Sequence, residues 1–324
     1  MTDAKDISHA DNLLKNQLDS DCAKLLKPHK LDHHVQMLAS GRFLRSRIAF
    51  VSAPKIDMRL VKLCSALELL HTATLVHDDI VDESDKRRGL PTISATDGKE
   101  AALLVGDLLV SRAFAIVSQA GTQKMSTSFA KAYQDVNAAQ LRELQRRAKV
   151  HKSLNTYIEI CRGKTVSILQ LALKIGVSPT EIESSHPLMR AIHDIGLAFQ
   201  LADDIEDVED WLDKSHPNRS KHSAPDIELG NYTAPTILAA RANAIGTDAR
   251  SIDPKQITEH DWKHGIDQAR EQRNNFINSA ASHCADASRT HDDLSSHSQR
   301  LAPWLGRVGD SIRVDALDQI VTID

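Results

Sequence analysis

The chain has 324 residues, 41% of them hydrophobic and only 13 of them glycine, which favours long uninterrupted helices over a turn-rich β architecture. We therefore predict an all-α protein, and the length fits a single domain over residues 1–324. The formal charge of −4 gives no global basic field, which argues against nucleic acid as a partner.

The N-terminal segment MTDAKDISHADNLLK carries acidic side chains where a secretory signal would carry a basic patch and an apolar run. We expect no membrane span, because no later segment reaches the roughly 18 apolar residues that one needs. Cys22, Cys64, Cys161 and Cys284 lack CxxC spacing, which indicates reduced packing residues. These features predict a cytoplasmic protein.

Residues 8–40 place apolar side chains at helical spacing, with Pro28 marking a break, and predict two helices. In the following segment, ASGRFLRSR, Gly41 indicates a turn that opens the next helix. Arg42 and Arg45 stand three apart on one side of that helix. This spacing fits an anion site and also a solvated basic turn.

Residues 61–82 are apolar almost all the way round for about four turns, which predicts a central buried helix. At its end, Asp78, Asp79 and Asp82 fan three carboxylates over about 100° of one face. Unpaired buried charge is costly, so we predict that these carboxylates bind a cation instead of forming a solvated face.

Two arginines, Arg87 and Arg88, follow this cluster and offer forks for an anion. Residues 101–120 are again apolar nearly all round and predict a second core helix. In the helix predicted over 155–175, Lys164 interrupts the apolar stripe. This lysine is either a core residue that extends its ammonium to water or a contact for an anion.

A second acidic cluster, Asp203, Asp204 and Asp207, repeats the spacing of the first at the end of another apolar helix. Gln200 lies one turn earlier. Two such clusters in one helical chain are hard to explain as solvated faces. The polar stretch 215–236 that follows is predicted to form a lid loop.

Aspartate clusters on neighbouring helices of a bundle suit Mg²⁺, a hard ion held by a few carboxylates and substrate phosphates. Such ions would clamp a diphosphate and neutralise its charge as the bond to carbon breaks. An apolar helical tunnel below that site would exclude water. The pattern therefore predicts carbocation chemistry on an apolar allylic diphosphate.

From about residue 40 to residue 240, the sequence resembles the trans-isoprenyl diphosphate synthases of the polyprenyl synthetase family. Within that family it is most like the octaprenyl type. The shared motifs are DDxxD with RRG, FQxxDDxxD, a KT pair, a GD pair and a lid lysine. In this chain they are Asp78, Asp79, Asp82, Arg87, Arg88 and Gly89; Phe199, Gln200, Asp203, Asp204 and Asp207; Lys164 and Thr165; Gly106 and Asp107; and Lys221.

The resemblance implies a bundle of long antiparallel helices around a central apolar cavity, the isoprenoid synthase fold, and a homodimer. It implies that the six aspartates bind a trinuclear Mg²⁺ cluster. The allylic diphosphate ionises, the isopentenyl double bond attacks the cation, and the released diphosphate removes the proton. A lipid product implies peripheral membrane contact. The substrate-binding residues implied are Arg87, Lys164, Thr165, Gln200 and Lys221 for the allylic diphosphate, and Arg42, Arg45, His71 and Arg88 for isopentenyl diphosphate.

Ala73 and Thr74 occupy the positions where members of this family carry a bulky residue when their products are short. Both are small here, so the resemblance implies a medium- or long-chain product. On an ideal helix Thr74 faces the aspartate side while Ala73 points away. The expectation for Ala73 therefore rests on the resemblance, and Leu141 is an alternative residue to close the tunnel.

The chain also departs from the family pattern. GGKRLRP reads SGRFLRS, so that Phe43 replaces an arginine and Ser46 a proline; the lid carries Asn231 in place of a cation; and EGE reads QLR. Three alternatives stay open: a short-chain farnesyl or geranylgeranyl diphosphate synthase, a class I terpene cyclase, and a regulatory subunit of a heteromeric synthase. The second DDxxD motif disfavours the cyclase, and the presence of both motifs disfavours the subunit.

Overall fold

The computed structural model describes residues 4–87, 89–147, 154–213, 227, 230–242, 254–290 and 292–313, most of which are helical. The predicted all-α fold is confirmed. A ribbon of two antiparallel strands, β1 (Lys86–Arg87) and β2 (Leu90–Pro91), follows the fourth helix. The α-helices are α1 (Ala4–Leu26), α2 (Val35–Leu38), α3 (Leu44–Ser52), α4 (Met58–Val81), α5 (Ile93–Asp97), α6 (Lys99–Ala120), α7 (Gln123–Leu144), α8 (Leu154–Cys161), α9 (Ser167–Val177), α10 (Pro187–Leu212), α11 (Ala234–Ala242), α12 (Glu259–Arg289) and α13 (Ser295–Arg313).

The N-terminal region differs from the two helices predicted over residues 8–40. Helix α1 ends just before Pro28, and two single 3₁₀ turns, Lys27–His29 and Asp32–His34, lead into the four-residue helix α2. Proline disfavours helical geometry in the residue before it, and Lys30 adopts a left-handed conformation (φ 61°). The second predicted helix is therefore largely replaced by turns.

Helix α4 lies at the centre of the bundle and packs against α1, α3, α6 and α9. It begins after Asp57, whose side chain accepts a hydrogen bond from the N–H of Leu60 (2.8 Å). Leu67 and Leu70 are fully buried. Each such side chain contributes about 1.5–3 kcal/mol by leaving water.

Helices α4 and α6 run antiparallel. At one end, Nε of Arg59 donates to the carbonyl of Ala120 (2.8 Å). At the other end, Nε2 of His77 lies 3.3 Å from the carbonyl of Leu103. The aspartate-bearing end of α4 therefore lies beside the beginning of α6.

The second predicted core helix, α6, is only partly buried. Leu109 and Val117 are fully buried, whereas Leu103 and Leu104 are 51% and 63% exposed. By length and composition alone, α6 could cross a membrane, and 39% of its apolar window is buried. Core helices of water-soluble proteins meet the same criteria, so one such helix is weak evidence for a span.

Two groups of buried apolar side chains meet along α10. The larger group fills the space around α4 and includes Ile192 and Ile195 from the first half of α10. The second group joins α8, α11 and α12 and includes Leu201 and Ile205 from the second half. The second aspartate cluster thus lies where α10 passes from one group to the other.

Candidate functional site

The first aspartate cluster lies at the C-terminal end of α4. Asp79 is 3% exposed, and Nε and Nη2 of Arg87, on β1, both lie 2.8 Å from its Oδ1. Asp82 is the C-cap residue and accepts a hydrogen bond from Nη2 of Arg147. Nη1 of Arg147 donates to the carbonyl of Val81 (3.2 Å). One arginine therefore binds the end of the helix and one of its carboxylates together, as cations at helix C-termini do.

Burial dominates the electrostatics of this cluster. It raises the pKa of Asp78 to about 6, although the ammonium of Lys164 opposes the shift. The nearby carboxylates of Asp82 and Glu143 add to the increase. Burial also raises the pKa of Asp79, against the hydrogen bond from Arg87. The surrounding basic groups therefore do not fully offset the cost of placing these carboxylates in the protein.

The second aspartate cluster lies on α10 and presents one buried and two exposed carboxylates. Asp204 is 2% exposed, whereas Asp203 and Asp207 are exposed. Oδ2 of Asp204 accepts a hydrogen bond from the hydroxyl of Tyr157 (2.6 Å), and Oδ1 accepts one from Nε2 of Gln200 (2.9 Å). Burial raises the pKa of Tyr157 well above its usual value, so its hydroxyl stays a donor. Asp204 is thus held in a fixed orientation.

A π-helical turn, Arg162–Val166, joins α8 to α9 and carries Lys164 and Thr165. Thr165 Oγ1 donates to Oε1 of Gln200 (2.7 Å), so a chain of hydrogen bonds continues from this turn to Asp204. π-turns inside helices are frequent at functional sites.

Helix α7 lies directly against the π-helical turn. A Cβ on Gly163 would lie 2.5 Å from Cβ of Ala139, so only glycine permits this approach. Nζ of Lys164 lies 2.6 Å from Oε2 of Glu143, which is also on α7. The close packing thus sets where the lysine ammonium sits.

An open cleft lies among these elements. Arg147 links the two sides of the site, because it contacts both Asp82 and Oδ1 of Asn231 (3.3 Å) at the cleft wall. Asn231 belongs to the predicted lid, of which the structure describes residues 227 and 230–236. The lining residues are Glu143, Arg146, Thr156, Tyr157, Ile160, Cys161, Lys164, Gln200, Asp204, Asn231, Tyr232, Thr233 and Ile237.

The residues predicted for isopentenyl diphosphate are described only in part. Arg42 is exposed in the turn before α3, Arg45 is half-buried on α3, and His71 is half-buried on α4. Helices α3 and α4 pack together, so the last two lie on neighbouring helices. Arg88 and Lys221 lie outside the described residues.

The serine that replaces the family's proline has a structural partner. The backbone N–H and the hydroxyl of Ser46 donate to Oε1 of Glu68 (3.2 and 2.6 Å). Ser46 is fully buried and Glu68 is 6% exposed. This departure therefore satisfies a buried carboxylate.

The residues predicted to set product length are both buried in α4. Ala73 is fully buried and Thr74 is 8% exposed. Thr74 Oγ1 donates to the carbonyl of His71 (2.7 Å), so its hydroxyl is bound to its own helix. Leu141, the alternative, is 60% exposed on α7.

Four residues that contact the predicted site were missed: Tyr157, Glu143, Arg147 and His77. For two of them the sequence contained a signal. Tyr157 lies two helical turns before Lys164, and His77 directly precedes the first aspartate cluster. Glu143 on α7 and Arg147 in the turn after it make contacts with residues far away in the sequence, which local spacing does not reveal.

His77 also explains the GD pair on α6. A Cβ on Gly106 would lie 2.1 Å from Nε2 of His77, so this glycine makes room for the imidazole. Nε2 of His77 lies 3.5 Å from Oδ1 of Asp107. The pair therefore supports the residue that precedes Asp78.

The donor atoms of the two clusters are all carboxylate oxygens, the ligands that Mg²⁺ and other hard divalent ions prefer. The pKa of Asp78, raised to about 6 by burial, indicates a site short of positive charge. The residues present therefore fit a divalent cation, with the arginine and lysine side chains supplying charge beside it.

Comparisons with known proteins identify the family of this chain. The polyprenyl synthetase family profile matches residues 29–261. An all-trans-nonaprenyl-diphosphate synthase (geranyl-diphosphate specific) of Rhodobacter capsulatus is 31% identical over 248 residues, 75% of this chain and 74% of that protein. The octaprenyl diphosphate synthase of Escherichia coli is 28% identical over 244 residues, 73% and 72% of the two chains.

The structural likeness extends over nearly the whole chain. The crystal structure of heptaprenyl diphosphate synthase from Staphylococcus aureus superposes with a TM-score of 0.76 at 21% identity, covering 94% of this chain and 98% of that one. At this identity the likeness establishes the fold. With the profile match over most of the chain and the 31% identical relative, this protein belongs to the polyprenyl synthetase family of prenyl-transferring enzymes.

Proposed function

We propose that this protein condenses isopentenyl diphosphate with an allylic diphosphate and releases a medium- or long-chain all-trans polyprenyl diphosphate. One observation carries the proposal: Lys164, which acts on Asp78 electrostatically, lines the same cleft as the buried Asp204. A cationic side chain between two acidic clusters suits a diphosphate whose negative charge must be met from both sides.

We propose that Mg²⁺ binds at the two clusters, held by Asp78, Asp79, Asp82, Asp203, Asp204 and Asp207. When bound, it supplies positive charge that stabilises a departing diphosphate. Lys164 and Arg87 would bind the diphosphate oxygens directly, while Tyr157 orients the carboxylate of Asp204. Thr165 and Gln200 would fix the side of the cleft nearest that carboxylate.

Isopentenyl diphosphate is proposed to bind at Arg42, Arg45, His71 and Arg88, and Lys221 is proposed to contact the allylic diphosphate from the lid. The apolar side chains around α4 would exclude water from the growing chain. Exclusion of water protects a carbocation from capture as an alcohol.

The medium- or long-chain product is proposed because Ala73 and Thr74 are small and because similar proteins are named nonaprenyl and octaprenyl diphosphate synthases. An octaprenyl-type length is the specific proposal.

We further propose a single domain over residues 1–324, with a lid at 215–236, that works as a homodimer. The exposed leucines of α6 support the dimer, because apolar side chains on one helix face are typical of an interface. We propose a cytoplasmic location with peripheral membrane contact for product release. Four unpaired buried cysteines fit a reducing compartment.

The decisive experiment is incubation of the full chain with farnesyl diphosphate, isopentenyl diphosphate and Mg²⁺, followed by chromatography of the dephosphorylated products. A ladder ending in a medium- or long-chain alcohol is expected. A fifteen- or twenty-carbon end product would favour the short-chain alternative, a cyclic hydrocarbon the terpene cyclase, and no product the regulatory subunit.

Two aspartates on α10 provide a matched pair of variants for the same assay. Asp204→Ala is expected to abolish product formation, whereas Asp210→Ala, an exposed aspartate outside the cluster, should leave it intact. Circular dichroism of both variants checks that the helices persist. Equal activity of the two variants would contradict the proposed role of the second cluster.

A further inference from the structure

Three potential metal ligands that belong to neither aspartate cluster converge at one place. His33 and His34 lie in the 3₁₀ turn Asp32–His34, and Asp97 is the last residue of α5. Nε2 of His34 lies 2.7 Å from Oδ2 of Asp97, and Nε2 of His33 lies 3.4 Å from the same oxygen. One ligand atom from each residue lies within 4.8 Å of the other two. Two imidazoles therefore point at one carboxylate oxygen.

This geometry is close to that of a tetrahedral metal site. Zinc bonds of about 2.0–2.2 Å to nitrogen and oxygen place neighbouring ligand atoms roughly 3.3 Å apart. The distance from Nε2 of His33 to Oδ2 of Asp97 already has about that value, and the 2.7 Å contact between His34 and Asp97 must lengthen by about 0.6 Å. The ligand atoms of the two histidines lie within 4.8 Å of each other, so movement of these side chains must close the remaining distance.

The surrounding structure fixes the carboxylate. Thr96 Oγ1 donates to Oδ2 of Asp97 (2.7 Å). At the start of α5, Thr92 accepts a hydrogen bond from the N–H of Ala95 (3.2 Å) and donates to the carbonyl of Ser84 (2.7 Å). Outer contacts of this kind orient metal ligands. Helix α5 thus presents Asp97 on an anchored support.

The three side chains differ in their exposure to solvent. The side chain of His34 is 5% exposed, that of Asp97 is 26% exposed and that of His33 is 55% exposed. A metal ion can therefore enter from the side of His33, and a fourth coordination position would face solvent on that side. Three protein ligands with one open position are typical of zinc sites that retain a water molecule.

We propose that His33, His34 and Asp97 form a binding site for a borderline divalent transition metal of the Zn²⁺ class. Two imidazole nitrogens and one carboxylate oxygen suit zinc better than magnesium, so this site would differ in metal preference from the all-carboxylate clusters. A bound ion would join the turn that follows α1 to α5, which lies directly after the ribbon that carries Arg87. The site would act as a clip between these two segments.

The test uses the full chain, freed of any histidine tag, with Mg²⁺ in excess to occupy the aspartate clusters. Zn²⁺ is titrated by calorimetry, and Co²⁺ serves as a spectroscopic probe because its visible absorption is much stronger in tetrahedral than in octahedral geometry. We expect one equivalent to bind, a tetrahedral Co²⁺ spectrum and a rise in melting temperature with Zn²⁺. Binding without a tetrahedral spectrum, or no binding, would overturn the proposal.

Three variants localise the metal. His33→Asn and Asp97→Asn should each weaken Zn²⁺ binding by at least about tenfold and remove the tetrahedral spectrum. His29→Asn, an exposed histidine in the preceding turn, should change neither. His33 is exposed, so its variant should melt as the wild type does without metal. Unchanged Zn²⁺ affinity in His33→Asn would reject the site even if Asp97→Asn fails to fold.

Discussion

The hydroxyl of Tyr157 on α8 donates a 2.6 Å hydrogen bond to Oδ2 of Asp204 on α10. Both residues are buried, and they meet where the two groups of core side chains join. A neutral donor at this distance orients the carboxylate without neutralising it. The bond therefore leaves the charge of Asp204 available to a cation in the cleft.

Tyr157→Phe should weaken the dependence on Mg²⁺ without removing activity. Loss of an outer-shell hydrogen bond typically costs about 10–100-fold in metal affinity or activity. We expect the Mg²⁺ concentration for half-maximal rate to rise within that range, with the rate largely restored at high Mg²⁺. Tyr133→Phe, a half-buried tyrosine on α7, is the matched control. An unchanged Mg²⁺ dependence in Tyr157→Phe would contradict the orienting role.

Gly106→Ala should destabilise the protein although alanine favours helices. The added methyl group would lie 2.1 Å from Nε2 of His77, and such overpacking costs about 1–3 kcal/mol. Gly306→Ala on α13, where nothing lies within 4 Å, should instead stabilise by up to about 1 kcal/mol. Urea unfolding measures both.

The double variant His77→Ala/Gly106→Ala separates the clash from other causes. Residues in contact give non-additive effects, so the double variant should be more stable than the sum of the single changes predicts. Additive losses would show that the imidazole is not the group that meets the new methyl.

Ala73→Leu should shorten the product at a cost in stability. Ala73 is fully buried, so a larger side chain costs about 1–3 kcal/mol, and the family resemblance places this position beside the proposed tunnel. Leu141→Ala should leave the product length unchanged because Leu141 is 60% exposed. Product chromatography distinguishes the two. A longer product from the Leu141→Ala variant would indicate that the tunnel is closed by Leu141 on α7 and not by Ala73.

Leu104→Glu should convert the proposed dimer to a monomer. Leu104 is 63% exposed on α6, and a charge in an apolar interface is costly to desolvate. Met58→Glu, at a methionine 49% exposed at the opposite end of the α4–α6 pair, should leave the dimer intact. Sedimentation analysis measures the molecular mass. If the Leu104→Glu variant remains a dimer, this face of α6 is not the dimer interface.

His297 should make the protein less stable as the pH falls. Burial lowers the pKa of His297 in the folded protein, assisted by the charge of Arg300 and opposed by the hydrogen bond that Nδ1 donates to the carbonyl of Ser52 (2.7 Å). Below about pH 6.5 the unfolded histidine binds a proton that the folded one does not, so the free energy of unfolding falls with decreasing pH, by at most about 1.4 kcal/mol per pH unit.

His297→Asn removes this titration and serves as the reference. The stability of the wild type relative to the variant should decrease between pH 7 and the lowered pKa of His297, and should be constant above pH 7. Urea unfolding at several pH values measures the difference. If the stability of the wild type relative to the variant instead increases as the pH falls, the pKa of His297 is not lowered in the folded protein.

Much of the helical architecture could be predicted from the sequence, because apolar periodicity reports directly on burial. Residues 61–82 correspond to α4, and 101–120 to α6. The exposed leucines of α6 were not predicted, because an exposed apolar face has the same composition as a face in the core.

Less of the candidate site than of the fold could be predicted from the sequence. Repeated DDxxD spacing identified the aspartates, but their partners come from elsewhere in the chain: Glu143 from α7 and Arg147 from the turn after it. The burial of Ala73 on all sides also depends on how α4 packs against its neighbours. Sequence spacing reports on one helix at a time, whereas these contacts are fixed by the distance between helices.

The π-helical turn Arg162–Val166 fixes the number of residues between α8 and α9. It closes each turn with one residue more than an α-helix does. Deleting a single residue there would allow a continuous α-helix and would leave α8 and α9 in nearly the same phase, because the π-turn accommodates its extra residue within one widened turn. Tyr157 would still face Asp204, whereas Lys164 and Thr165, which the turn carries, would be displaced. Exchanges of segments between this protein and its relatives must preserve the length of this turn.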